Sequence, residues 1–183
     1  MNVTALEVSS FWFSGDISEN YKNKWFPTGS SDIQARTDII ITERFKVVLD
    51  SALRGELSRW KTDGIRSHIA LIIVLDQFSR HIFRNFSLAK DADQRVLADR
   101  LALEASEELL QIPAWDEFIS TPEFVFALMP LRHNASMPRL ATVLRNIDNR
   151  EHCEVKSMEL LTKFRKQTLR RFQELQDRSK VIY

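Results

Sequence analysis

The scarcity of turn-forming residues constrains the fold of this chain more than any other feature. Its 183 residues include four glycines and five prolines. Because these two residue types supply most tight turns, a chain with so few of them has few connections and long secondary-structure elements. The sequence therefore predicts an all-α fold in which residues 1–183 form a single domain.

Apolar side chains at helical spacing place six helices along the chain. They are predicted at residues 4–13, 32–54, 66–85, 88–111, 121–130 and 148–180, and residues 21–31 are predicted to form a loop held by aromatic side chains. In the second helix, the buried stripe is predicted to include Ile40, Ile41 and Phe45. These helices are long enough to pack as antiparallel hairpins.

Capping residues locate two of the helix ends. Thr4 and Glu7 have the spacing of a capping box, so the first helix is predicted to start at Thr4. Thr121 is predicted to cap the fifth helix, because a proline follows it at the first helical position. Pro130 is predicted to kink or end that helix, because proline removes a backbone hydrogen bond.

The third helix differs from the others because residues 69–75 are apolar on every side. Such a segment is predicted to be the central element, surrounded by other helices. The apolar run is followed at once by hydrogen-bonding residues. Asp76, Arg80 and Arg84 are four residues apart and are predicted to share one face, while Gln77 and His81 are predicted to share the adjacent face.

Two interpretations of this polar segment stay open. In the first, Arg80 and Arg84 hold an anion and Asp76 fixes Arg80 in place, with His133 beyond Pro130 facing the same pocket. In the second, the same residues form a buried ion-pair ladder that joins neighbouring helices, and the spacing alone favours this second interpretation. The candidate ligand-binding residues are Asp76, Gln77, Arg80, His81, Arg84 and His133.

Metal, cofactor, membrane and nucleic-acid functions have little support in the sequence. No other histidine or carboxylate stands at a metal-ligand spacing from His133, and no sequence motif for a cofactor is present. The net charge of +1 gives no strong attraction to nucleic acid or acidic lipid. The single cysteine, Cys153, and the absence of a secretory signal or a long apolar segment predict a soluble, cytoplasmic protein.

The last helix has a basic segment that includes Lys163, Lys166, Arg170 and Arg171. These four residues are candidates for contact with a protein partner, and more weakly with RNA. The alternative is a solvated outer face behind an apolar stripe, and this is the commoner role of such a charge run.

A set of short motifs occurs in this chain in a recognisable order. They are Phe11-Trp12-Phe13, Lys24-Trp25-Phe26, Gly55-Glu56-Leu57 with Trp60, Leu75-Asp76-Gln77-Phe78 with Arg80 and Arg84, and Pro130-Leu131 with His133. In this order and spacing the chain resembles the family catalogued as domain of unknown function 924. The resemblance implies an all-helical, tetratricopeptide-like fold of packed hairpins, and it implies no particular reaction.

The chain departs from the family pattern at three places. Ser79 and His81 replace a proline and an asparagine in the central motif, and around His133 three acidic residues of the family are lost. The family's C-terminal motif is not recognisable, and the basic helix stands in its place. A carboxylate that acted there as a base or a metal ligand would be missing, so the site is predicted to be remodelled or lost.

These features support two hypotheses about function. The leading one is a helical scaffold that binds a protein partner or a second copy of itself, because repeat-like helical folds present concave surfaces. The alternative is a protein or enzyme that binds a small anionic molecule in a pocket formed by Asp76, Arg80, Arg84 and His133.

Overall fold

The computed structural model describes residues 3–26, 31–84, 89–150 and 157–180, and all of its regular structure is helical. The α-helices are α1 (Ala5–Phe13), α2 (Ile17–Asn20), α3 (Ser31–Leu53), α4 (Ile65–Ile72), α5 (Ser79–Ile82), α6 (Ala89–Leu109), α7 (Thr121–His133), α8 (Met137–Asn149) and α9 (Met158–Lys180). A short 3₁₀ helix, Ser58–Lys61, precedes α4. The all-α fold class is thus confirmed, and the tetratricopeptide-like arrangement stays a prediction.

The helix predicted to be central is the element around which the others pack. The π-helical segment Ile73–Phe78 joins α4 to α5, and the whole of residues 65–82 is called the central helix below. The helices α1, α3, α6 and α7 pack against it. Every residue from Ile69 to Leu75 is buried, as predicted from the run of apolar side chains. Full burial of each large side chain stabilises the fold by about 1.5–3 kcal/mol.

A second helix, α7, is surrounded as completely as the central one. All of its residues from Thr121 to Leu131 are buried. The predicted start is wrong by one residue, because Ser120 is the cap and exchanges capping-box hydrogen bonds with Glu123. Pro130 was predicted to kink or end the helix, and it does not end it, because α7 continues to His133. Proline costs the helix one hydrogen bond, and burial of the whole turn outweighs that loss.

In the N-terminal region, the structure agrees with the predicted first helix and differs from the prediction after residue 20. Thr4 caps α1 through a capping box with Glu7, as predicted. The predicted loop is partly helical, because α2 continues into the π-helical segment Tyr21–Trp25. Trp25 anchors this segment, since its indole N–H donates to the carbonyl oxygen of Trp12 at 3.0 Å. Residues 27–30 of that prediction lie outside the described residues.

The second predicted helix is confirmed as α3 to within a residue at each end. Ile41 and Phe45 are buried as expected, whereas Ile40 is 45% exposed, so its place in the buried stripe was wrong. Successive residues of a helix point about 100° apart. The chain therefore cannot bury both Ile40 and Ile41 against one neighbouring helix, and Ile41 occupies the inner position.

The C-terminal part contains two helices where one was predicted. Residues 148–149 belong to α8 and α9 begins at Met158, while residues 151–156, including Cys153, lie outside the described residues. Ser136 caps α8, and Leu140, Val143 and Ile147 form its buried stripe. The helix α8 packs against both α7 and α9.

Within the described ranges, no helix has the length and apolar character that a membrane span requires.

Candidate functional site

The candidate site begins at the π-helical turn in the middle of the central helix. A π turn closes its hydrogen bonds one residue further along the chain than an α turn, and such turns occur frequently at functional sites. Ser79 follows the turn, and its hydroxyl donates to the carbonyl oxygens of Leu75 at 2.6 Å and Asp76 at 3.2 Å. The side chain of Ser79 thereby helps to hold the turn that carries Asp76.

Asp76 is the centre of a group of side chains from three helices. Its Oδ1 accepts hydrogen bonds from Arg80 Nη2 at 3.1 Å and from His133 Nδ1 at 2.8 Å, and its Oδ2 accepts one from Gln77. Arg80 Nη2 also donates to Asp99 Oδ1 on α6 at 2.8 Å. These five residues are called the Asp76 cluster below. They connect the central helix to α6 and α7.

The carboxylate of Asp76 is completely buried and still ionised at neutral pH. Burial by itself would raise the pKa of this group. His133 and Arg80 outweigh burial through their charges and hydrogen bonds, and they lower the pKa of Asp76 from 3.8 to about 2. An ionised carboxylate can only accept hydrogen bonds, so the proton in the Asp76–His133 contact lies on Nδ1.

His133 is one of three partly exposed members of the cluster, together with Arg80 and Asp99. Its side chain is 25% exposed, although its partner Asp76 is 0% exposed. Because Nδ1 is committed to Asp76, the second ring nitrogen, Nε2, is the atom that can meet a molecule from outside. A carboxylate on Nδ1 also fixes the orientation of the ring, which is the arrangement used by histidines that act as general bases.

Positive and negative groups in and around the Asp76 cluster balance when His133 is neutral. Asp99 Oδ2 lies 3.4 Å from Arg95 Nε on the same helix, and Arg80 and Asp99 are each about a quarter exposed. Two arginines and His133 therefore surround two carboxylates. When His133 is protonated, the group has a net positive charge, and it would attract an anion.

A second polar group, the Asp38 cluster, lies against the other side of the central helix. It consists of Gln34 and Asp38 on α3 together with His81 and Arg84. Asp38 Oδ1 is 2.7 Å from His81 Nδ1 and accepts from Gln34 Nε2 at 2.9 Å, while its Oδ2 is 3.0 Å from Arg84 Nε. His81 is 5% exposed and packs edge-to-face on Trp12.

The structure thus divides the six predicted site residues between two clusters. Asp76, Arg80 and His133 meet, and the contact between Asp76 and Arg80 follows from their spacing of four. Gln77, which was predicted on the adjacent face with His81, instead donates to Asp76. Placing Arg84 on the same helix face as Asp76 and Arg80 was wrong, because Arg84 pairs with Asp38. The central helix ends at Ile82, so the helical spacing that would align Arg84 with Arg80 does not reach that far.

Three partners in these clusters were missed from the sequence, namely the acceptors Asp38 and Asp99 and the donor Gln34. Asp38 and Gln34 belong to α3, and Asp99 belongs to α6, so each meets its partners through packing between helices. A weak local signal existed for all three, because Gln34 and Asp38, like Arg95 and Asp99, are four residues apart. That spacing predicts a pair on one helix and gives no information about the partner on another helix.

The basic residues of α9 are partly neutralised by neighbouring acids. Lys163 pairs with Glu159 at 2.6 Å, and Arg170 pairs with Glu174 at 3.3 Å. Lys166 and Arg171 are exposed. The predicted partner surface is therefore on the outside of the protein, with a smaller excess of positive charge than the sequence suggested.

In the described part of the chain, no group of three histidine, cysteine or acidic side chains is placed to hold a metal ion.

Comparison with known proteins gives a family and a fold. The sequence model of a family described as "Bacterial protein of unknown function (DUF924)" matches residues 8–181. Among solved structures, a protein of unknown function from Agrobacterium tumefaciens, ATU0120, is similar with a TM-score of 0.63 at 24% sequence identity. The match covers 88% of this chain and 80% of that one. No curated protein matches the sequence.

Proposed function

We propose, from the premise that the chain belongs to the DUF924 family of bacterial proteins of unknown function, that it binds a small anionic molecule at the Asp76 cluster. His133 and Arg80 are the residues that contact the ligand in this proposal. Asp76 positions both of them and does not itself touch the ligand. Arg84, which pairs with Asp38 on the far side of the central helix, has no part in it.

One observation carries the proposal: a fully buried, ionised carboxylate holds a histidine that is a quarter exposed. A histidine that is held in this way and partly exposed can contact a ligand as well as join helices. Burial of Asp76 is costly, and that cost is offset by the hydrogen bonds that it accepts from Arg80, His133 and Gln77. The same arrangement orients His133 Nε2 toward the outside.

The chemistry of these groups favours an anion that carries an exchangeable proton. His133 Nε2 can accept a proton from a bound molecule or, once protonated, donate a hydrogen bond to it. Arg80 and Arg95 lie at the same rim and supply positive charge. If the protein is an enzyme, His133 is its candidate general base, because it is the group with a fixed ring and an accessible nitrogen.

A titration followed by NMR tests this proposal. The ring signals of His133 are followed while phosphate, sulfate and small dicarboxylates are added in turn. At least one anion is expected to shift these signals to saturation, and Arg80→Gln is expected to weaken its binding at least tenfold, a loss of about 1.4 kcal/mol.

Arg100→Gln is the matched control for this titration. Arg100 is exposed, lies on α6 near the same rim and pairs with Glu104, so its loss is expected to leave anion affinity unchanged. The proposal fails if no anion shifts the His133 signals, or if the Arg100 variant weakens binding as much as the Arg80 variant does.

Binding of a protein partner at α9 is the second candidate function. It is favoured by the apolar stripe of this helix, of which Phe164 and Thr168 are buried while Phe172 and Leu175 are only partly covered. Lys166 and Arg171 are exposed on the same helix. A partner that covers the apolar residues and carries acidic groups fits this combination.

Charge reversal tests the second candidate. Lys166→Glu combined with Arg171→Glu is expected to reduce recovery of a partner from lysate, or to reduce self-association in sedimentation experiments, without loss of helical circular dichroism. Arg178→Glu, further along the same helix, is the control. Equal recovery with all three proteins would remove α9 as the contact surface.

A further inference from the structure

A cavity of about 250 Å³ lies between α1, α2, the π-helical segment Tyr21–Trp25 and α3. It is lined by Phe11, Glu19, Asn20, Asn23, Lys24, Thr37 and Ile40. Its walls combine an aromatic ring and an aliphatic side chain with one ammonium, one carboxylate and several amide or hydroxyl groups. This mixture is typical of cavities that bind small molecules.

Lys24 is the unusual residue of this cavity. Its ammonium group donates to the carbonyl oxygen of Phe11 at 2.6 Å and lies 5.1 Å from the centre of the Phe11 ring. A lysine has three N–H donors, so this one backbone acceptor leaves capacity for another. Burial lowers the pKa of Lys24, and no carboxylate of the described residues counteracts that effect.

Lys46 is a useful comparison for Lys24, because it lies near an aromatic ring and also has a counter-ion. Its Nζ also lies near an aromatic ring, 5.8 Å from the centre of Phe83, and it pairs with Asp50 at 2.6 Å. Lys24 has the aromatic neighbour and lacks the acid. Glu19 lines the same cavity as Lys24 and lies beyond ion-pair distance from it.

We propose that this cavity binds a small monocarboxylate whose oxygen atoms accept hydrogen bonds from the Lys24 ammonium. The carbon skeleton of the ligand packs against Phe11 and Ile40, which form the apolar wall. Ile40 is 45% exposed, so such a ligand also covers apolar surface. The carboxylate of Glu19 repels a second negative charge, which selects against dianions.

Titration with butanoate tests the proposal, with the backbone amide signals of Asn23, Lys24 and Thr37 as the readout. Butanoate is expected to shift these signals to saturation. Butanamide, which has the same shape without the charge, and inorganic phosphate, which is largely a dianion at pH 8, are expected to cause no saturable shift. Lys24→Met is expected to weaken butanoate binding at least tenfold.

Lys46→Met is the control, and it is expected to bind butanoate as the unmodified protein does. Ile40→Asp provides a second variant in case Lys24→Met does not fold, because residue 40 is exposed and tolerates a charge. The new carboxylate at the cavity wall is expected to weaken binding severalfold. Equal binding of butanoate and butanamide, stronger binding of phosphate, or unchanged affinity in either the Lys24 or the Ile40 variant would overturn the proposal.

Discussion

Two histidine–aspartate pairs lie on opposite sides of the central helix, and they differ in almost nothing except access to solvent. His133 Nδ1 is 2.8 Å from Asp76, and His81 Nδ1 is 2.7 Å from Asp38. In both pairs the aspartate is buried and also contacts an arginine. The ring of His133 is 25% exposed, whereas the ring of His81 is 5% exposed.

In our proposal, the histidine–aspartate hydrogen bond has two roles in this fold: it joins helices at His81 and positions a ligand-binding ring at His133. The ring of His81 is enclosed by Gln34, Asp38 and Trp12, so the pair with Asp38 joins α3 to the central helix. The ring of His133 is 25% exposed, and in our proposal its second nitrogen contacts the ligand. We therefore expect loss of His81 to reduce stability and loss of His133 to reduce binding.

The largest effect is expected from removing the carboxylate that holds the more open pair. Asp76→Ala leaves Arg80 and His133 without their buried partner, and it is expected to lower the free energy of unfolding by about 3–5 kcal/mol. Urea denaturation measures this loss. The exposed acid Asp63, which pairs with Arg59, is the control, and Asp63→Ala should change stability by no more than about 0.5 kcal/mol. A loss below about 1 kcal/mol for Asp76→Ala would contradict the claim that Asp76 holds the Asp76 cluster together.

The two histidines should separate clearly when each is replaced by alanine. His81→Ala removes a buried ring and leaves Asp38 with fewer donors, so its cost is expected to be about 2–3 kcal/mol. His133→Ala leaves Asp76 with Arg80 and Gln77, and water can reach the gap, so about 1 kcal/mol is expected. Denaturation of both variants under one set of conditions measures the difference. Equal losses, or a larger loss at His133, would reverse the comparison.

Acid should weaken the Asp76 cluster within a defined range of pH. The pKa of Asp76 is lower in the folded protein, about 2, than its ordinary value of 3.8. Its contribution to stability is therefore complete above the ordinary value and is lost as the pH falls from about 4 toward 2, by roughly 2 kcal/mol. Stability of the unmodified protein and of Asp76→Asn is compared from about pH 5 to pH 2. Curves that stay parallel over this range would show that Asp76 is not the group responsible.

Chemical labelling of the unmodified protein tests only the solvent access of the two histidine rings, and it perturbs the protein least. Diethyl pyrocarbonate modifies accessible imidazole rings, so it is expected to label His133 faster than His81 in the folded protein. Peptide mass spectrometry after brief treatment measures both sites, and labelling in denaturant gives the intrinsic reactivity of each peptide. If His81 is labelled as fast as His133, the difference in access on which the comparison rests does not hold in solution.

Local sequence patterns predicted much of the fold and the first contact of the site. The run of apolar residues at positions 69–75 identified the central helix, because a helix that is apolar on all sides has to be surrounded. The spacing of Asp76 and Arg80 predicted their ion pair. The capping box of Thr4 and Glu7 located the start of α1.

Several of the predictions that were wrong or missing concern contacts between segments that are distant in the sequence. Asp99 reaches Arg80 from α6, and Asp38 reaches His81 from α3, so no spacing within one helix could reveal either contact. Arg84 was misplaced because the central helix ends two residues earlier. The helix α8 was missed although Ser136 and Pro138 signal its start, since the apolar pattern after them was attributed to no helix.

Mass spectrometry of the protein purified gently from its own source tests the central claim most directly. Spectra under native and denaturing conditions are compared for the unmodified protein, for His133→Asn and for the exposed control Arg100→Gln. We expect the unmodified protein and the control to carry a small anionic molecule that is lost on denaturation, and His133→Asn to carry none. A bare protein in every sample, or the same bound mass in His133→Asn, would contradict a ligand site at the Asp76 cluster.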